Sequence, residues 1–155
     1  MTVRSAYLGI LFATVLSAPL ALAASGDSAA RVGAVRAPAG IDARARAALT
    51  DSLNRYIVEE GLTESLRPYT VSPSLVQLRR YVEASPKQAK LVCVVDLALT
   101  DDRGNVAASV RGNATTLGVS PRETVDAAAH AAVMRLPGAL QALLARQKPE
   151  RVAAR

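Results

Sequence analysis

Between Leu91 and Leu99 the chain alternates with a period of two. Leu91, Cys93, Val95, Leu97 and Leu99 are apolar at every odd position, and Asp96 interrupts the even set. This pattern predicts a strand with one fully buried face. Asp101-Asp102-Arg103-Gly104-Asn105 then supplies the short polar side chains and the glycine of a tight turn. A second strand is predicted from Val106 to Thr115. Val106, Ala108, Val110, Gly112 and Ala114 share one face, and Ser109, Arg111, Asn113 and Thr115 share the other. Ser120-Pro121-Arg122-Glu123 reads as a helix start, with an N-cap, a proline at the first helical position and the glutamate of a capping box. Beyond it, Val125, Ala128, Ala129, Ala132, Val133 and Leu136 fall on one helical face.

Upstream, Ala43 to Glu60 has helical spacing, with Ala45, Ala48, Leu49, Ser52, Leu53, Tyr56 and Ile57 on one side. Asp42 is the expected N-cap and Gly61 the expected stop. The segment 62–86 is ambiguous. Leu75, Leu78, Arg79 and Val82 fit a helical face, whereas Val76, Leu78, Arg80 and Val82 fit a strand. The strand is preferred, because a third strand beside Leu91–Thr100 rescues an otherwise marginal hairpin. Pro73 would then sit at the sheet edge, where its missing N–H is harmless. The predicted fold class is α+β: a two-layer sandwich of a three-stranded antiparallel meander with two helices on one face, in the order αβββα. After Leu136, Pro137-Gly138 is expected to break the helix before a short apolar turn or two.

The ends of the chain have a different texture. Residues 1–23 read as a secretory signal, with Arg4, an apolar run from Leu8 to Leu16 and an Ala21-Leu22-Ala23 cleavage site. Residues 24–40 read as a flexible lead-in, 41–145 as a single α+β domain and 146–155 as a disordered basic tail. Export implies a periplasmic or extracellular bacterial protein with no stable membrane span once the signal is cleaved. Without Arg4 the chain retains 18 basic and 13 acidic residues, a net charge near +5. That balance favours anionic surfaces. Export and the scarcity of aromatic residues argue against nucleic acid.

Candidate chemistry is sparse. His130 lies four residues after Asp126, a spacing at which the two can pair on a helix, but no nucleophile motif accompanies them. Cys93 has the parity of the core residues, so its thiol should be buried and inert. One histidine, one cysteine and scattered carboxylates make no metal-ligand set. No catalytic, metal or cofactor residues are therefore assigned. The even side of the central strand carries Val92, Val94 and Ala98, which is too apolar for a fully solvated face. A partner, a second copy, the lead-in or the tail could cover it, which leaves room for a homo-oligomer. Arg79, Arg80, Asp96 and Arg111 are the expected partner-binding residues: Arg79 and Arg111 would project from the same open face as Asp96 as a basic strip around one acid, or the arginines are charges that keep sheet edges apart.

The run Asp96-Leu97-Ala98-Leu99-Thr100-Asp101-Asp102-Arg103-Gly104-Asn105-Val106, followed by a small-residue strand and an alanine-rich amphipathic helix, resembles a group of exported bacterial domains. These are the curli-secretion-type lipoproteins, the lipoprotein activators of penicillin-binding proteins and the N-terminal domain of the Tol–Pal translocation protein. The resemblance spans about residues 43–136. It implies a non-enzymatic adaptor in a cell-envelope complex, binding an envelope protein or an anionic envelope polymer. No lipidation cysteine or pore-forming insertion matches, so tethering and channel activity are not implied. Two other functions remain open: a small exported enzyme using His130 as base, and a ligand carrier with a pocket between helices and sheet.

Overall fold

The computed structural model describes residues 30–82, 89–118 and 120–147. The predicted signal at 1–23 and the last residues of the predicted tail lie outside them. Helix α1 spans Ala43–Glu59, and the Asp42 side chain accepts a hydrogen bond from the Arg44 amide at its start. Gly61 ends it with φ +64°, a left-handed conformation that a residue with a Cβ rarely adopts. The short α2, Thr63–Leu66, buries Leu66 and leads into the sheet. Strand β2 is Thr70–Tyr81, β3 is Lys90–Thr100 and β4 is Val106–Leu117. Helices α3 (Pro121–Val133) and α4 (Leu136–Gln147) complete the fold.

The α+β class holds, but the sheet has four strands rather than three and is mixed rather than all antiparallel. Its order is β1-β2-β3-β4, and the added strand β1, Arg31–Val32, runs parallel to β2 at the edge. It comes from the stretch read as a lead-in. Periodicity could not reveal it, because two residues are too few to show a period. Among the described residues, four helices rather than two accompany the sheet. The break after α3 falls at Met134–Arg135, and Pro137 lies in the first turn of α4, where no intrahelical N–H is needed.

Pro73 also departs from expectation, since it lies inside a strand paired on both sides. Arg36 N donates to Pro73 O at 2.9 Å, and Leu75 N donates to Arg36 O at 2.8 Å. Gly33 N donates to Val71 O at 2.8 Å on the same side. By alternation the missing Pro73 N–H faces this neighbour too. The ladder is interrupted there, between Gly33 and Arg36, so no donor is lost.

A register shift between Leu75 and Gln77 explains the ambiguity of this segment. Leu75 pairs with Val95, and Leu78, three residues on, pairs with Cys93. One extra residue at Val76 lets a strand direct both leucines at the helices, a three-residue spacing that imitates a helical face. Val76 itself is 41% exposed rather than inward. A second shift, between Leu99 and Thr100, pairs Val106 with Thr100, so Val106 leaves the face of Ala108 and Val110 and is 64% exposed.

The core lies between the sheet and all four helices. Leu91, Cys93, Val95, Leu97 and Leu99 are buried from β3, as are Leu49, Leu53 and Ile57 from α1. Val125, Ala128, Ala129, Ala132 and Val133 are fully buried from α3, and Leu136 from the start of α4. The approach of α3 to β4 requires the absence of a side chain at Gly112. A Cβ there would overlap the Ala128 carbonyl oxygen and lie 2.5 Å from Ala132 N and 2.7 Å from Ala132 Cβ. Burial pushes the Cys93 thiol up to about 12, as expected for a thiol that acts only as a small hydrophobe.

Candidate functional site

The second face of the sheet is the surface to which the sequence pointed. Its composition follows from the pairing. Across β2, β3 and β4 it presents the rows Tyr81–Lys90–Leu117, Arg79–Val92–Thr115, Gln77–Val94–Asn113, Ser74–Asp96–Arg111 and Ser72–Ala98–Ser109. Val92, Val94 and Ala98 are half-buried, and every described helix packs on the other side. The face is thus an aliphatic column along β3 flanked by hydroxyl, amide and charged groups.

Asp96 and Arg111 meet at its centre in a two-pronged pair, with Nε to Oδ1 at 2.6 Å and Nη2 to Oδ2 at 2.7 Å. Planar guanidinium and carboxylate groups match in this geometry. The hydrogen bonds from Arg111 outweigh partial desolvation and hold the Asp96 carboxyl below its ordinary value, and the same pairing raises Arg111. Asp96 is therefore satisfied within the chain by Arg111. Arg79 shares the face but pairs in register with Val92, four residues along β3. Arg80 pairs in register with Leu91 and so belongs to the opposite parity. Of the four residues singled out, Asp96 and Arg111 are joined, Arg79 stands on the same face and Arg80 does not.

A second polar cluster joins α1 to α3. Asp126 accepts hydrogen bonds from Ser52 Oγ at 2.6 Å, Arg55 Nη2 at 2.5 Å and Tyr56 Oη at 2.7 Å. Desolvation opposes the charge on Asp126, but the bonds from Ser52 and Tyr56 and the Arg55 charge prevail, so its pKa lies below the usual carboxylate range. Tyr56 moves the other way, raised first by burial and then by its bond to the anion. His130 does not pair with Asp126 as its spacing suggested. It stacks on Tyr56, with ring centroids 4.5 Å apart and planes 29° from parallel, while Asp126 turns toward α1. Asp126 thus does not orient the imidazole as a catalytic base would require. The one signal for this cluster in the sequence is Ser52 and Tyr56 on the apolar side of α1, two polar groups that need a partner once buried.

Clefts of about 430 and 510 Å³ lie side by side between α1 and the start of α3, sharing Ala48, Asp51, Ser120 and Arg122. A third, of about 570 Å³, lies between α2 and α4. Their linings are helix and loop residues, whereas a carrier pocket would be enclosed between helices and sheet. Among the described residues, no group of three or more His, Cys, Asp or Glu is placed to hold a metal ion, and no helix is long and apolar enough to cross a membrane.

No family description matches the chain, and no curated protein matches it. Among solved structures it is similar to PelC from Paraburkholderia phytofirmans, solved as a dodecamer, at 15% identity with TM-score 0.48, covering 71% of this chain and 86% of that one. It is similar to a presumptive lipoprotein from Caulobacter crescentus at 16% identity with TM-score 0.46, covering 76% and 93%. A minor lipoprotein from Acinetobacter baumannii follows at 14% identity with TM-score 0.43, covering 71% and 94%. Likeness at this level assigns neither a family nor a function.

Proposed function

We propose that this chain is a non-enzymatic, exported binding domain of a bacterial cell envelope, and that its contact surface is the open face of the sheet. The observation that carries the reading is the half-apolar column Val92, Val94 and Ala98, which no described element covers. Export rests on the signal-like pattern of residues 1–23. The occupant is the acidic surface of another envelope protein. With Asp96 neutralised by Arg111, the exposed Arg79 leaves a positive charge on the face. Tyr81 is its only ring among the described residues, which suits a protein surface better than the stacking of sugars or bases.

The test is retention of partners from envelope extract by the purified domain, comparing the wild type with Arg79→Glu. Salt-sensitive retention that falls in Arg79→Glu and disappears when the extract is first treated with protease is the expected result. Equal retention by both forms would overturn the role of the face. Survival after protease treatment would make the ligand an anionic polymer instead.

A further inference from the structure

The edge of the sheet at β4 carries an inference separate from the open face. Two observations fix which backbone groups of β4 point away from β3. Leu75 bonds toward the lead-in, so Ser74 bonds toward β3, its partner Asp96 toward β2, and Arg111, opposite Asp96, away from the sheet. Independently, Arg135 Nη1 donates to the Arg111 carbonyl oxygen at 2.6 Å from outside the ladder. By alternation Ser109, Arg111, Asn113 and Thr115 all direct N–H and C=O outward, and all four are exposed.

The two edges of the sheet are very unlike. β1 offers two residues, whereas β4 offers twelve. β4 has no proline, its one charge is tied down by Asp96, and its register shift lies at its first residues. Natural edges are usually blunted by free charges, prolines or central bulges. Here the only such device among the described residues is Arg135, an exposed and flexible side chain standing where a neighbouring strand's N–H would stand.

We infer that β4 is a strand-addition surface whose occupant is β4 of a second copy, paired antiparallel about Gly112, with Arg135 as a removable cap. The strand is self-complementary in that register. Arg111 lies opposite Asn113 and Ser109 opposite Thr115, so the two guanidinium groups do not oppose each other. Leu117, 65% exposed, comes beside Val106 of the other copy, 64% exposed, so the two apolar ends cover one another. The pairing is isologous and closes as a dimer with one continuous eight-stranded sheet. Both open faces remain free, so partner binding and dimerisation are separable.

Sedimentation velocity over a range of protein concentration tests this with three forms: wild type, Arg135→Ala and Arg135→Ala/Asn113→Lys. Circular dichroism confirms that each is folded. Removing the cap should shift the monomer–dimer transition to at least tenfold lower concentration. The added Asn113→Lys, which sets two lysines near the two-fold axis, should abolish that gain. Arg135→Gln, which keeps a donor but no charge, serves if the alanine variant does not fold. An uncapped variant that stays as monomeric as the wild type, or a dimer that survives Asn113→Lys, would overturn the inference.

Discussion

Asp126 shows what a single residue does here. It takes up three donors from one face of α1 and keeps its charge against partial burial, which fastens two helices at one point. Its folded pKa lies below the ordinary carboxylate value. The stabilisation is therefore fully present above the unfolded pKa, about 4, and is lost as pH falls through the lower folded value. Asp96 carries the same sign through Arg111. The urea midpoint of the wild type should accordingly fall as pH is lowered from about 5 to about 3. Asp126→Asn should be destabilised at neutral pH by about 1 kcal/mol, since the cluster is partly exposed, and should lose part of that acid dependence. A midpoint of Asp126→Asn that tracks the wild type at every pH would deny the clamp. The same residue shows where a spacing argument fails. Asp126 and His130 are four apart on one helix, yet a buried serine and a half-buried tyrosine on a neighbouring helix compete for the carboxylate and win.

Among elements, the contact between α3 and β4 is the most exacting. Its alanines are evident in the sequence, and so is Gly112, but only the geometry shows how little room is left. Gly112→Ala should cost about 3 kcal/mol in urea unfolding, because the added carbon meets backbone atoms that cannot yield separately. Ala108→Gly, on the same face and only partly buried, should cost less, about 1 kcal/mol. Equal costs would mean that the helix is not held against Gly112. Elements with clean periods were legible from sequence alone: the alternation from Leu91 to Leu99, the α3 stripe, and the caps at Asp42, Gly61 and Ser120 all appear where they were read. Elements that break their own period were not. The extra residue at Val76 makes a strand resemble a helix, and Val106 changes face at the second shift. β1 owes its place to hydrogen bonds made with β2 rather than to any pattern of its own.

For the molecule as a whole, the four helices among the described residues protect one side of the sheet, and none of them lies on the other. The face of the predicted basic strip was legible, but not the pairing within it. Parity put Arg111 and Asp96 on one face, and the pair they form is the centre of that face. The strand alternation likewise set Arg79 on that face and Arg80 with Leu78 on the other, as the register has them; the residue that breaks the alternation is Val76, because a single inserted residue exchanges the faces on its two sides. The most direct measurement of the open face is site-specific photo-crosslinking in native envelope membranes. A photoreactive amino acid is placed at Val94 or Ser109 on the sheet face and, for contrast, at Asn54 on the outward side of α1. Discrete adducts to protein from the two sheet positions, absent from position 54, are the predicted result. Adducts from position 54 alone, or equally from both sides, would contradict it.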